Sequence, residues 1–350
     1  MTPNKKLLIL SCSTGSGHFR AAEALRLSCE KNYPNIQVLH LDIADYLGWF
    51  PYTGIVSAYN FISNFTPYLY KLTYQATDVW LTQKIFRNLA PLISFGGRKF
   101  IQKINEFKPD FIISTHYLAQ IIIPKNFPAP IDTVITDYHP HKTWLSPKIR
   151  YTFVATEEIK NNLAKFKIEA VASGIPIHPE FLKEKNIDEL KTKLGVQNNW
   201  PVVLLLSRSH EKIKSADIIS EIFSNYSDKK INLIVIGSKN KKLPQKNLII
   251  IDRTDNIDDW MRIADIIVTK AGGLTITEAM YLQKPIIIIN PIPGQEDYNT
   301  AYLEQNHYGI KAHSAKDVAY KIQNILDNPS SINKKSYPNA SKIILEKVLE

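Results

Sequence analysis

Cys12 and Cys29 are the only cysteines in 350 residues. Their spacing suits neither a disulfide framework nor a zinc site, so a reducing cytosol is the expected setting. Long apolar runs are also missing. The best candidate, Phe111 to Pro124, is interrupted by Ser114, Thr115, His116 and Gln120, short of the roughly 18 to 20 apolar residues that span a bilayer. The opening MTPNKKLLILSCS looks only superficially like a signal peptide. Its apolar run is short and passes into a glycine loop, so it reads as a first strand. Zinc-finger spacing, a basic helix and an RNA-recognition aromatic motif are absent too. Nucleic acid would then rest on charge alone, and no nucleic-acid partner is expected.

What the chain does have is apolar mass and positive charge. Apolar residues make up 44% and charged ones 22%, the composition of an ordinary globular protein with enough core for two domains of about 100 to 200 residues each. Lys and Arg number 43 against 33 Asp and Glu, a formal charge of +10. Such an excess draws a protein toward a polyanion, and an anionic lipid surface suits the remaining features better than nucleic acid.

Runs of Ile, Val and Leu alternate with longer amphipathic stretches. Residues 6–12, 36–41, 110–114, 131–136, 151–155 and 168–173 read as strands of one sheet, and 201–206, 231–237, 247–251, 265–269 and 285–289 as strands of a second. Helical periodicity fills 18–32, 157–166, 215–226, 274–283 and 315–327 between them. Continuously apolar strands separated by helices predict parallel sheets covered on both faces, that is, an α/β chain of two Rossmann-like domains facing a cleft. The first domain is expected to span 1–178, ending at Gly174-Ile-Pro-Ile-His178, and the second 179–335; 336–350 is a C-terminal helix, with a return to the first domain as one option. Loops 11–18, 137–144, 206–213 and 270–273 leave the carboxyl ends of strands, where open α/β sheets bind ligands.

The alternation breaks from Leu47 to Phe100. Trp49, Phe50, Tyr52, Tyr59, Phe61, Phe65, Tyr68, Tyr70, Tyr74, Trp80, Phe86 and Phe95 are interspersed there with Lys71, Lys84, Arg87, Arg98 and Lys99. The segment, about 47–100, reads as helices inserted into the first domain. Aromatic and basic side chains together suit lipid-headgroup depth, while packing of the rings onto their own domain is the plainer alternative.

Four strand ends carry candidate chemistry. Ser11-Cys-Ser-Thr-Gly-Ser-Gly-His18 opens a helix, but Arg20 stands at the third glycine position of a dinucleotide fingerprint and no Walker Lys-Ser/Thr follows. His18 at the helix start would be held neutral by the helix dipole and could accept a proton, or it could simply pack the first turn. Asp137 leaves an apolar strand into a loop with His139 and His141, an arrangement able to orient or deprotonate a hydroxyl. A metal reading of that loop lacks a third spaced ligand, and no metal is expected. Ser207-Arg208-Ser209-His210 could meet a diphosphate or be an exposed loop. The stretch from Lys270 to Asn299 joins a glycine turn, a helix carrying Glu278, a buried strand and a proline-rich loop bearing Gln295, Glu296 and Asp297. Such a unit suits a nucleotide sugar, because glycines let a helix N-terminus meet a diphosphate and a carboxylate one turn further can accept from ribose hydroxyls.

The blocks STGSGHFRAA at 13–22, VITDYHPHKTW at 134–144, FVATEEIK at 153–160, SGIPI at 173–177, NIDDWMRIADIIVTKAGGLTITEA at 256–279 and PGQEDYN at 293–299 together carry a resemblance. In that order, nearly end to end, they resemble the monogalactosyldiacylglycerol synthase and processive diacylglycerol glucosyltransferase family. That family is related, within glycosyltransferase family 28, to the peptidoglycan enzyme that adds N-acetylglucosamine to lipid I.

The resemblance implies a GT-B fold, a diacylglycerol acceptor entering through the first domain and a UDP-sugar (UDP-glucose or UDP-galactose) held by the second. It implies that His18 and Asp137 are catalytic, that Gly17, His141 and Trp144 face the acceptor, and that Glu278 binds ribose. Gln295 and Glu296 would contact the sugar, Ile257 would present its backbone to uracil, and Gly272, Gly273 and Leu274 would approach the diphosphate. One departure stands out: the family's glycine-rich turn after the second domain's first strand is replaced by Ser207 to His210, with Arg208 as an electrostatic substitute. The expected product is a β-glycosyldiacylglycerol, made without a resident cofactor at the inner face of the cell membrane. The rival readings are an N-acetylglucosamine transferase acting on a lipid-linked cell-wall precursor and a non-catalytic membrane-bound sensor of UDP-sugar.

Overall fold

The computed structural model describes residues 5–13, 16–46, 67–78, 98–124, 126–197, 199–207, 213–225, 231–238, 247–333 and 337–350. Two compact units emerge. One comprises residues 1–179, 293–295 and 338–350, the other 180–292 and 296–337. Most of the aromatic and basic segment at 47–100 lies outside the described residues, as does Arg208.

The first unit is built on strands β1 (Lys5–Ser11), β2 (Ile36–Asp42), β3 (Phe111–Ser114), β4 (Ile131–Val134), β5 (Ile149–Val154) and β6 (Ala170–Ala172). They form one parallel sheet in the order β2-β1-β3-β4-β5-β6. Side chains alternate faces along a strand, and both faces here are apolar. Leu8 and Leu10 enter one core with Ile112, Phe100 and Ile104, while Leu7 and Ile9 enter another with Ile113, Val134 and Phe153. That is why β1 reads as an unbroken apolar run. The helix Arg98–Phe107 contributes Phe100 and Ile104, so the end of the predicted insertion is part of this unit's core.

The C-terminal helix Ala340–Leu349 also belongs to this unit. Ala340, Ile344, Leu345 and Val348, on one helix face, cover the sheet beside Leu7, Ile9 and Phe153. Its last turn is fastened by Arg150, which donates to the Val348 carbonyl at 3.1 Å and grips the buried Asp132 carboxylate through Nε at 3.1 Å and Nη2 at 2.6 Å.

The second unit contains β7 (Val202–Leu206), β8 (Asn232–Ile236), β9 (Leu248–Ile251), β10 (Ile266–Thr269), β11 (Ile286–Ile288) and β12 (Gly309–Lys311). The parallel order is β12-β11-β10-β7-β8-β9. Strand β12 is absent from the sequence reading because three residues, Gly-Ile-Lys, carry no periodicity. A second difference concerns Gln295, Glu296 and Asp297. Read from the sequence as part of a proline-rich loop, they form the first turn of a helix, Gln295–Gln305. Pro293 and Gly294 (φ +86°) make the turn that precedes it, and the acids fall where a helix dipole favours them.

In each sheet the chain reverses its direction of growth at one point, between β1 and β3 in the first and between β7 and β10 in the second. Those switch points leave a crevice at the strands' carboxyl ends.

Because Leu345 is wholly buried against the first sheet, Leu345→Ala is expected to cost about 2–5 kcal/mol. Chemical denaturation should show an earlier transition for the first unit, with that of the second unchanged.

Candidate functional site

At the first unit's switch point, β1 ends in Ser11, Cys12 and Ser13, and the next described residues open the helix Ser16–Asn32 with Gly17 and His18 in its first turn. Strand β2 holds the loop's near end. Asp42 accepts from the Ser13 N–H at 3.1 Å, and the buried Ser11 hydroxyl lies 2.8 Å from His40 Nε2. Beyond the switch, Thr115 donates its hydroxyl to the His18 carbonyl at 2.8 Å. Thr136, just past the end of β4, brings its Oγ1 to 2.9 Å from His18 Nδ1. Thr136, beyond β4, thus orients the imidazole, while Thr115, beyond β3, holds the backbone of the same residue.

The surroundings of His18 are aromatic. The His116 ring stands edge-on to it with centroids 4.8 Å apart, and the Trp144 ring lies at 5.8 Å. Burial disfavours the imidazolium and lowers the His18 pKa below the usual 6.5, with the charge of Asp137 opposing. His116 is pushed down further, by burial and then by His18 itself. His18 is accordingly neutral near physiological pH and able to take a proton.

The loop 137–144 is built around histidines that hold structure. His141 Nε2 lies 3.1 Å from the Tyr74 carbonyl, which can only accept, so Nε2 carries the proton and Nδ1 accepts from the Thr143 N–H at 3.2 Å. Asp78 accepts from the Lys142 N–H at 2.8 Å and pairs with His139 Nε2 at 2.9 Å. These contacts fasten the helix Pro67–Thr77 to the loop. Trp144 is buried, its carbonyl accepting from Gln120 Nε2 at 2.9 Å. Gln295 groups with this unit, and its Nε2 donates to Asp137 Oδ2 at 2.7 Å.

At the second unit's switch point, β10 runs into Lys270-Ala-Gly-Gly273 and the helix Gly273–Tyr281. Gly272 is the N-cap and makes no side-chain capping bond, so the first N–H groups of this helix have no cap from its own N-terminal residue. Leu274 lies in the first turn, and Glu278, in the second, is buried at 1% exposure. The glycine turn is supported by the helix Gln295–Gln305. Asn299 donates to the Ala271 carbonyl at 2.9 Å, and Glu296, on the same helix face, pairs with Lys270 and accepts from the Ile292 N–H at 2.9 Å.

Ile257 begins the helix Ile257–Ile263, whose next residues, Asp258 and Asp259, are bound by Lys185 Nζ at 2.5 and 2.7 Å. The loop after β7 is anchored at both described ends. A Cβ at Gly237 (φ +95°) would lie 2.1 Å from the Ser207 carbonyl oxygen, and Asn290 exchanges two 2.9 Å hydrogen bonds with the Ile213 backbone. The glycine that permits close approach therefore sits at the end of β8.

The structure thus places His18, Asp137 and Trp144 in the first unit, and Gly272, Gly273, Leu274, Glu278 and Glu296 around one helix end in the second. Thr136, Thr115, Lys270, Gly237 and Asn290 are not among the sequence-predicted site residues, and His116, read from its strand end as a cleft-lining or packing residue, packs against His18. Most of them had a local signal, since each of Thr115, Thr136, Gly237, Lys270 and Asn290 stands where an apolar strand stops. Among the described residues no group of three or more His, Cys, Asp or Glu is arranged to hold a metal ion, and no helix is long and apolar enough to cross a membrane.

Comparison with known proteins places these two halves. Residues 18–177 match the model for monogalactosyldiacylglycerol (MGDG) synthase, and residues 186–342 match that for group 1 glycosyl transferases. The processive diacylglycerol beta-glucosyltransferase of Bacillus pumilus is 27% identical over 378 residues, covering 100% of this chain and 96% of its own. The enzyme of the same name from Bacillus subtilis is 25% identical over 379 residues with the same coverage. Among solved structures, the UDP-GlcNAc 2-epimerase of Neisseria meningitidis aligns with a TM-score of 0.61 at 15% identity, covering 99% of both chains. MurG of Acinetobacter baumannii aligns at 0.59 and 12%, also over 99% of both. At such identities these two establish the fold alone, a GT-B-like pair of α/β units.

Gly237→Ala, which forces a side chain into the Ser207 carbonyl at a left-handed φ, is expected to cost the second unit about 3 kcal/mol or more. Its unfolding transition should move down while that of the first unit stays in place.

Proposed function

We propose that this chain, whose residues 18–177 match the monogalactosyldiacylglycerol synthase model and residues 186–342 that of the group 1 glycosyl transferases, moves a hexose from a UDP-sugar to diacylglycerol. The product would be a β-glycosyldiacylglycerol, formed by inversion. The observation that carries this reading is the position of His18. A neutral, oriented imidazole stands at the switch point of the unit that matches the lipid-glycosylating family. Glucose is the favoured sugar, since the relatives described above are named beta-glucosyltransferases.

In this reading the glycerol hydroxyl attacks the anomeric carbon while the bond from that carbon to the diphosphate oxygen breaks, and the leaving electron pair stays on UDP. In the tautomer whose Nδ1–H donates to Thr136 Oγ1, 2.9 Å away, His18 Nε2 holds the lone pair that takes the acceptor proton. Asp137, whose charge favours the imidazolium, would stabilise the cation so formed. Glu278 would accept from the ribose hydroxyls, the backbone at Ile257 would meet the uracil, and Gly272, Gly273 and Leu274 would present N–H groups to the diphosphate. Charge on the leaving group would be met by these fixed dipoles, so the reaction calls for no resident cofactor or metal. The net charge of +10 suits a peripheral position on the anionic inner face of the cell membrane.

Incubation of the purified protein with diacylglycerol vesicles and UDP-glucose, UDP-galactose or UDP-N-acetylglucosamine, followed by lipid analysis, tests this directly. A glycosyldiacylglycerol is expected with UDP-glucose. No glycolipid with any donor sinks the proposal, and donor binding without product would make the protein a sensor.

Because His18 must be neutral to act and its pKa is lowered from 6.5, the rate at saturating substrate should hold as pH falls through 6.5 and decline only at more acidic pH. His18→Ala should lower kcat about 100-fold or more with donor affinity retained. An acid limb centred at or above 6.5 would contradict this role.

A further inference from the structure

Lys270 follows the last residue of β10 and stands at the second unit's switch point. Its ammonium is paired with Glu296, whose side chain is 3% exposed, while that of Lys270 keeps 22%. A Cβ placed on Gly272 would be 3.1 Å from Lys270 Nζ and 3.7 Å from Glu296 Oε1. The ammonium therefore overhangs the N-cap of the helix Gly273–Tyr281, beside N–H groups that no side chain of the cap residue satisfies. An ammonium has three donors, and Glu296 accepts one of them.

Stability alone is a weak reason for this pair, because burying a carboxylate costs desolvation that its partner only partly returns. The arrangement makes better sense as positioning. Glu296 is fixed by the Ile292 N–H and by its place on a helix that also holds the glycine turn through Asn299. A carboxylate so fixed keeps a flexible lysine over one spot, where its charge adds to the helix dipole.

We propose that Lys270 is a catalytic residue of the donor side, its ammonium contacting the β-phosphate of the bound nucleoside diphosphate sugar. The assignment rests on the donor reading of the second unit given above and adds a residue to it. As the anomeric C–O bond breaks, its electron pair passes to the β-phosphate oxygen. Lys270 stabilises that charge while keeping its own proton, and the acceptor's proton leaves by the other unit's base. The Glu296 carboxylate holds the ammonium in place and bears no part of the bond change.

Calorimetric titration with UDP, UMP and uridine separates the β-phosphate from the rest of the ligand. Lys270→Gln should weaken UDP binding about 10-fold or more, the worth of a charge-assisted hydrogen bond, with uridine affinity kept. Its kcat should fall about 100-fold, as on loss of a donor to a developing oxyanion, and Lys270→Arg should recover part of both. Should Lys270→Gln unfold because Glu296 is stranded, the double variant Lys270→Gln, Glu296→Gln removes both charges together and carries the same binding readout. A UDP-to-uridine affinity ratio equal to wild type in the folded variant overturns the assignment. A folded wild-type protein that binds none of the three probes overturns the donor reading itself.

Discussion

Burial of each sheet on both faces is the constraint from which the rest follows. A strand such as Leu7 to Leu10 places alternate residues into two different apolar cores, so nothing polar can be carried along its length without a partner. The buried Asp132 illustrates the rule, since both of its oxygens are met by Arg150 and one also accepts from the Tyr151 N–H. Chemistry is thereby confined to strand ends, where backbone groups run out of ladder partners and helix N-termini point the same way. His18, Thr136 and Asp137 in one unit and Lys270 to Gly273 in the other occupy that rim because the interior has no room for them.

The two rims are built differently. In the first unit, polar groups are clustered so that an imidazole stays neutral. His18 is oriented by Thr136 and surrounded by His116 and Trp144, and its burial outweighs the charge of Asp137 and the Thr115 backbone, which favour the cation. In the second unit, backbone N–H groups and an ammonium gather around glycine, a setting for negative charge. An imidazole kept uncharged and a setting for negative charge are thus built by opposite electrostatics on the same type of fold.

Much of this was legible in the residues. Eleven of the strand positions announced themselves as short apolar runs, and the strand ends that bear His18, Asp137 and the Lys270 turn were visible because the runs stop at them. What was hidden depends on contacts across long sequence distances. Nothing around Thr136 says that its hydroxyl meets a histidine 118 positions earlier, and nothing around Gly237 says that Ser207 crosses beneath it. The helix Gln295–Gln305 was obscured by Pro291 and Pro293 just before it, which read as loop. The partners of His139 and His141, Asp78 and Tyr74, likewise stand 61 and 67 positions away.

The return of residues 340–349 to the first sheet bears on the order in which the molecule can be made. Synthesis delivers every strand of that sheet by Ala172, yet the apolar surface around Leu7, Ile9 and Phe153, partly covered by Ala22, Leu25 and Cys29, lacks the rest of its cover until Ile344 and Leu345 leave the ribosome. The second unit, continuous in sequence apart from three residues, has all its strands by Lys311. The first domain begun is therefore the last completed, and a nascent chain carries an incompletely sheltered hydrophobic face through nearly half of its translation, the kind of surface that chaperones bind.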